Sequence, residues 1–570
     1  MADLILDAPV RAPTGALFGS DAFAACLRAM EIPYLALNPG SSYRGLHDSV
    51  VNFLGNQQPQ MLLCLHEESA VAIAHGYAKV TEQPMGVVLH SNVGLMHGSM
   101  AIFNAWCDRA PMLILGATGP WDAAKRRPWI DWIHTVSDQG GLVRDFTKWD
   151  NQPGSVEAGI EALLRAVQIA RTPPAGPTYV NFDSTIQEAP IEALPAIPDV
   201  RRFQPPIAAP DGALVERAAQ LLSEARNPVI LAGRVSRRWD DWQARVRLAE
   251  KLQALVLSNQ KLAAAFPTEH HLHPFPSTAG LAPAAAEALG AADVILSLDW
   301  LDLGGTLSQA FGSKVTATVI QASVDFASHR GWGGEHLALP PVDLSFGCPP
   351  DALVRPLTEA VRARPEATMP ARADRPAPRT DRLTLVDVAM ALDAEVGDQA
   401  VSLTKLSLGW SSALRPYRHP LDYLGADGGG GIGAGPGLAI GAALALKDSG
   451  RLPVAVVGDG DFLMAATAIW TAAHYGIPAL IIVANNRSFY NDEQHQERVA
   501  RSRGRPIENK WIGQRISRPD IDLASLARSQ GGEGIGPVER REDLAAAIAR
   551  AVAATRAGAV TVVDVRLPAD

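Results

Sequence analysis

Short runs of β-branched and aliphatic residues alternate with longer Ala- and Leu-rich amphipathic stretches along the whole chain. In the first third, PMGVVL (84–89) and PMLILGA (111–117) read as buried strands, while SAVAIAHGYAKV (69–80) and SVEAGIEALLRAVQIA (155–170) read as helices. The middle third repeats the alternation with ALVERAAQLLSEA (213–225), NPVILAG (227–233) and AAAEALGAADVILSLDW (284–300). The last third has GLAIGAALAL (437–446), PVAVVGDG (453–460), MAATAIWTAAHYG (464–476) and PALIIVANN (478–486). Strands alternating with helices predict an α/β fold with parallel sheets.

Two Pro-rich stretches without periodicity, 187–210 and 363–382, interrupt this pattern and read as linkers. They leave blocks at 1–186, 211–362 and 383–570, each of domain size. The expected architecture is therefore three doubly wound parallel-sheet domains. A chain of 570 residues is in any case too long for one core. Its formal charge of −9 argues against a nucleic-acid partner. No apolar run approaches the roughly 20 residues of a membrane-spanning helix, and no secretory signal is visible at the N-terminus. Cys26, Cys64, Cys107 and Cys348 are scattered without metal-ligand spacing, so reduced thiols and a cytoplasmic location are expected.

The strongest chemical signal lies in the last block. Gly458-Asp459-Gly460 ends one predicted strand, and Asn485-Asn486 ends the next, 24 residues later. In a right-handed βαβ unit both strands point the same way, which places Asp459 and Asn486 together at the sheet edge where such folds bind ligands. A carboxylate and an amide oxygen are hard donors suited to Mg²⁺, and flanking glycines let backbone amides approach a diphosphate. Either motif alone is ordinary turn chemistry. Their pairing at this interval resembles the signature of thiamine diphosphate enzymes.

That resemblance implies Mg²⁺ held by Asp459, Asn486 and the carbonyl of Ser488. It further implies a cofactor-binding set of Asn38, Pro39, Gly40, Gly430, Ile432, Gly458, Gly460, Asp461 and Phe489. Ile432 would be the aliphatic prop that keeps the cofactor bent. Asp461 departs from the family's small neutral residue, and its carboxylate must point away from the diphosphate. Gly428, Gly430 and Gly433 nominally form GxGxxG, but no strand precedes them and no acidic ribose partner follows. In the first block, Glu67 stands nine residues before Gly76 of a GYA triplet. By resemblance Glu67 activates the cofactor's aminopyrimidine, whereas Glu68 reads as a residue favoured at a helix N-terminus. The three blocks would be pyrimidine-binding, central and diphosphate-binding. The active site would be shared between two chains of a homodimer or homotetramer.

Within the family the chain looks most similar to benzoylformate decarboxylase, sharing Asn38-Pro39-Gly40-Ser41, Leu89-His90-Ser91 and a run from Phe266 to His270. By position Ser41 would contact a substrate carboxylate, and His90 and His270 would move protons. His271 and His273 leave the alignment of His270 open, and His97 reads as a packed helix residue. After the Asn pair the sequence turns polar and basic. Asn491 and His495 are candidate substrate contacts. The Arg-rich segment 498–518 is either a solvated loop or a lid for an anionic substrate, which makes benzoylformate itself doubtful. FAD, which acetohydroxyacid synthases carry, is not expected. The resemblance thus implies decarboxylation of a small-molecule 2-oxo acid. Carboligation or lysis through the same chemistry, and a non-catalytic cofactor-binding homologue, stay open.

Overall fold

Three separate parallel sheets form from the strands that the apolar runs predict. The computed structural model describes residues 7–10, 15–327, 337–372, 374–379 and 381–568. The first sheet runs, in spatial order, through Gln60–Leu63, Tyr34–Leu37, Met85–Leu89, Met112–Thr118, Pro177–Asp183 and Trp149–Asn151. The second orders Leu255–Ser258, Pro228–Ala232, Val294–Leu298, Thr318–Ala322 and Leu344–Phe346. The third orders Val401–Lys405, Leu452–Gly458, Ala479–Asn485, Val560–Arg566 and Glu533–Val538. Every neighbouring pair within these sheets is parallel, so the carboxyl ends of each sheet share one edge. The central strands are buried along their whole length, as expected for sheets covered by helices on both faces.

Each sheet stays within one of the three sequence blocks, but the first linker begins later than its composition suggests. Gln187 is fully buried, donating to the Ser42 carbonyl at 3.1 Å and accepting from the Leu46 amide at 3.3 Å. Pro190–Ile191 then pairs antiparallel with Leu17–Phe18. Residues 187–191 therefore belong to the first domain, because the Gln187 amide satisfies backbone groups that would otherwise be buried unpaired. A break follows Asp459, before the apolar run 464–476 ends. The chain forms two pieces, Asp459–Met464 and Ala468–Tyr475. Among the described residues, no helix is long and apolar enough to cross a membrane.

The first and third domains meet through two helices whose backbones touch, Glu67–Thr81 and Gly435–Ala445. A Cβ on Gly76 would lie 2.2 Å from the Leu438 carbonyl oxygen, and one on Gly441 would lie 1.8 Å from that of Ile73. Both glycines are thus required by close approach rather than by a left-handed backbone. Buried charges flank the contact. His75 Nε2 lies 2.8 Å from Asp108 Oδ2, and Lys79 Nζ donates to Asp108 and to the Ala426 carbonyl. Burial alone would raise the Asp108 carboxyl, but Lys79 and His75 override it and hold it well below the usual carboxylate range. Lys405 pairs with Asp427 on the opposite side of the junction.

Gly441→Val forces these helices apart and is expected to cost at least about 2 kcal/mol of stability. Thermal unfolding checks this against Gly154→Ala, where a Cβ meets nothing within 4 Å. Equal midpoints for the two variants would refute the backbone contact.

Candidate active site

At the carboxyl edge of the third sheet, the strands Leu452–Gly458 and Ala479–Asn485 lie side by side, with Gly458 level with Ala484. Asp459 begins a short helix at the end of the first strand, and Asn486 follows the second. The parallel register of the two strands brings Asp459 and the Asn486–Ser488 turn to the same edge. Burial dominates and pushes Asp459 up to about 6. Its Oδ2 is buried without a hydrogen-bond partner. A buried carboxylate oxygen left unpaired is costly unless a proton or cation completes it.

The turn after Asn485 is tightly built. Asn485 donates to Asp564 Oδ1 at 2.7 Å and accepts from the Arg487 amide, which leaves Asn486 free to turn toward the edge. Asn486 Oδ1 accepts from the Ser488 amide at 3.0 Å and keeps a second lone pair. Ser488 Oγ donates to Glu493, a fully buried carboxylate that Arg515 approaches at 3.4 Å. The Phe489 ring covers Gly460, where a Cβ would lie 2.5 Å from Phe489 Cε1. Gly460 is therefore needed for ring packing as well as for amide access. Asp459, Asn486 and the Ser488 carbonyl offer the all-oxygen donor set that Mg²⁺ prefers.

Asp461 does turn away from that edge. Its Oδ1 accepts from the amides of Gly433 and Gly435, at 2.7 and 3.1 Å. These amides belong to the glycine turn and to the start of the helix Gly435–Ala445, so the carboxylate acts as a cap for the turn. Gly430 and Gly433 have φ of +74° and +101°, conformations that a side chain would strain. Ile432 sits between them and is 40% exposed, available to a ligand at this edge.

At the carboxyl edge of the first sheet, four adjacent strands deliver Glu67, the Asn38-Pro39-Gly40 turn, His90 and the segment after Thr118. The turn is pinned by Asn38, which donates to the Cys64 carbonyl, and by the Tyr43 hydroxyl on the Asn38 carbonyl. Gly40 passes directly over the His90 ring, leaving no space for a side chain. Glu67 is the first residue of its helix and is 8% exposed. A Cβ on Gly94 would lie 3.2 Å from Glu67 Oε1 and 3.4 Å from His90 Cβ, so the carboxylate and the imidazole share one corner. Burial is the main cause holding His90 down at about 4, with the facing His134 second. His90 is therefore neutral at physiological pH.

Two features here differ from the sequence expectation. His97 is not packed. It is largely exposed and its Nδ1 lies 3.1 Å from Glu67 Oε2, while His66 stacks on its ring at 5.3 Å. Glu68 is more than a helix-start charge. Its Oε1 is buried and unpaired, and burial together with Asp461 raises its carboxyl. Neither neighbour could be seen from the helix's own periodicity, because both contacts cross between elements.

Ser41 continues the Gly40 turn at the first-sheet edge and Asn491 follows the Ser488 turn at the third, whereas His270 lies in the central domain. Ser41 is exposed, and its neighbour Ser42 is the serine that bonds His90, at 2.8 Å. His270 pairs with Glu250 at 3.2 Å and stacks on His271, within the central domain. His273 is buried against Ser258. Asn491 and His495 lie on the exposed helix Tyr490–Ser502, with His495 against Arg498 at 2.9 Å. In the basic segment, Glu497 pairs with both Arg501 and Lys510. These side chains point outward because the helix turns only Glu493 and Ala500 inward.

Comparison with known proteins adds a family to this geometry. Residues 18–142, 215–330 and 406–565 match, in order, the N-terminal TPP binding, central and C-terminal TPP binding domains of thiamine pyrophosphate enzymes. The chain belongs to the thiamine diphosphate enzymes. Within that family it falls in the 2-oxo acid decarboxylase and acetohydroxyacid synthase superfamily. It is 27% identical to benzoylformate decarboxylase of Pseudomonas aeruginosa, over 87% of this chain and 90% of that protein. It is 25% identical to the acetolactate synthase large subunit of Lactococcus lactis, over 84% and 82%. The solved 4-hydroxybenzoylformate decarboxylase of Rhodococcus jostii shares the fold, with a TM-score of 0.79, 23% identity and coverage of 97% and 100%.

For a thiamine diphosphate enzyme, the Asp461 cap gives a direct test of the glycine turn. Asp461→Ala frees the Gly433 and Gly435 amides, and cofactor affinity is expected to fall roughly tenfold, as for one lost charge-assisted bond. Fluorescence titration with thiamine diphosphate measures it, and unchanged affinity would show that the turn holds without its cap.

Proposed function

We propose that this chain is a Mg²⁺- and thiamine diphosphate-dependent decarboxylase of a 2-oxo acid, releasing CO₂ and an aldehyde. The observation that carries the reading is the unpaired, buried Asp459 Oδ2 beside the Asn486–Ser488 turn. An all-oxygen set with one unpaired carboxylate oxygen fits a hard divalent cation, which would be held by Asp459, Asn486 and the Ser488 carbonyl. Thiamine diphosphate, when bound, supplies a nucleophilic carbon and an electron sink for the bond beside a 2-oxo group.

The remaining work falls to the chain's own side chains. Asp459, Asn486 and the Ser488 carbonyl would hold Mg²⁺, while Gly430, Gly458 and Gly460 would leave backbone free for the diphosphate. Ile432 would pack against the cofactor. Glu67, screened from water at the start of its helix, holds and returns the proton that cofactor activation requires. Neutral His90 delivers a proton beside it.

A site shared by two copies is supported by an apolar surface spanning both domains. Met96, Met100, Ile432 and Met464 are all exposed, Met100 packs over Gly431, and Met464 lies against Gly433. A surface of this kind beside polar active-site groups is what a partner subunit covers. Carboligation is the second reading, since the acetolactate synthase of Lactococcus lactis is also a relative.

CO₂ release from aryl, aliphatic and acidic 2-oxo acids, with and without thiamine diphosphate and Mg²⁺, tests the proposal. Cofactor-dependent release is expected, and Glu67→Gln is expected to lower kcat by about 100-fold or more while leaving folding and Mg²⁺ binding intact. Wild-type turnover in Glu67→Gln would sink the assignment of Glu67. Product analysis with an added aldehyde separates release from carboligation.

A further inference from the structure

We propose that a cavity between the three domains is the substrate chamber, and that Lys261 selects a 2-oxo acid carrying a second anionic group. The inference rests on the decarboxylase reading and deepens it by naming the substrate class. The cavity has a volume of about 660 Å³. That is room for about twenty waters at roughly 30 Å³ each, enough for an extended ligand. Trp106 of the first domain, Lys261 of the central domain, and Leu406, Trp410 and Gly430 of the third supply its walls.

Two features set this cavity beside the candidate active site. Leu406 continues the strand Val401–Lys405, whose neighbour Leu452–Gly458 delivers Asp459. Gly430 belongs to the glycine turn that Asp461 caps. The central domain is stitched to the same turn by backbone. Lys261 leaves the carboxyl end of the strand Leu255–Ser258, and its carbonyl accepts from the Ala426 amide at 3.1 Å. The Tyr423 carbonyl accepts from the Ala264 amide at 2.9 Å, and the Tyr423 hydroxyl donates to the Gln260 carbonyl at 2.7 Å. Lys261 is thereby fixed against the chain just before the turn begins.

Charge in the lining is answered pair by pair except at Lys261. Asp108 is taken by Lys79 and His75, and Asp427 by Lys405. Arg109 pairs with Asp299 and Asp325, and Arg234 Nη1 lies 3.6 Å from the second oxygen of Asp325. Lys261 is exposed and, among the described residues, has no carboxylate partner. An unpaired ammonium is ordinary on an open surface. Here it shares a cavity with Trp106, Leu406 and Trp410, whose low-dielectric walls strengthen its field on a ligand.

The charge that Lys261 holds must be one that survives the reaction. An ammonium on the departing carboxylate would stabilise the ground-state charge that decarboxylation has to give up, and so oppose the reaction. On a second anion the same contact anchors a part of the substrate that does not react, and its binding energy orients the bond to be broken. The apolar walls suit the carbon chain or ring between the two groups. A lysine is a point charge without the planar fork of arginine, so carboxylate, sulfonate and phosphate all satisfy it.

The test measures CO₂ release by holoenzyme of the wild type, Lys261→Met and Lys261→Arg. Substrates are matched pairs of 2-oxo acids that differ only in a terminal carboxylate, sulfonate or phosphate. The wild type is expected to favour the charged member of at least one pair by about tenfold or more in kcat/KM. Lys261→Met is expected to lose that preference and Lys261→Arg to keep it. A wild type without the preference, or a preference that survives Lys261→Met, overturns the inference while CO₂ release still upholds the decarboxylase reading. Weaker thiamine diphosphate binding by Lys261→Met, with the preference intact, assigns the ammonium to the cofactor and also overturns it. Silence of the wild type on every 2-oxo acid overturns the decarboxylase reading, and the Lys261 role with it.

Discussion

Contact between the backbones of two helices, Glu67–Thr81 and Gly435–Ala445, is the constraint on which the remaining geometry depends. Gly76 and Gly441 leave no room for even a methyl group, so the helices approach without intervening side chains. Rigid seating of this kind fixes the orientation of the first and third sheets, and hence where their carboxyl edges face. It also explains why Lys79, His75 and Asp108 can be buried nearby. Their charges satisfy one another and the Ala426 carbonyl, whereas any one of them alone would be strongly unfavourable.

The two edges solve opposite electrostatic problems. The third-sheet edge leaves a carboxylate oxygen unsatisfied at Asp459, a local cost that only a cation or proton removes. The first-sheet edge instead sets Glu67, largely screened from water, beside His90, which burial keeps neutral. On the proposed function, one edge would take a metal and an anionic ligand, and the other would move protons. Asp461, which the sequence marks as a departure, belongs to neither task. It stabilises the glycine turn that separates them.

Much of this was legible in the chain itself. Buried strands announced themselves as apolar runs, and Asp459 and Asn486 converge because parallel strands must share an edge. Glu67 was visible by its spacing from Gly76. What escaped was set by contacts between elements distant in sequence. His97 has the helical spacing of a packed residue, yet it reaches Glu67 across to another helix. His134 lies in a segment with no periodicity, and only the folded chain brings its ring against His90. Asn491 and His495, expected as substrate contacts, lie on the exposed side of a helix that turns Glu493 inward. Gln187 sits in a Pro-rich stretch whose composition conceals that its amide closes the first domain.

The proposed function needs the Glu67 edge of one copy to meet the Asp459 edge of another. Mixing Glu67→Gln and Asp459→Ala chains, each inactive alone, under conditions that let subunits exchange tests it directly. Random pairing gives hybrid dimers with one intact site and one doubly altered site, so about a quarter of wild-type activity should return. A mixture as inactive as its parents, with exchange verified by a tag on one chain, would mean that both groups serve within a single chain and would contradict the account.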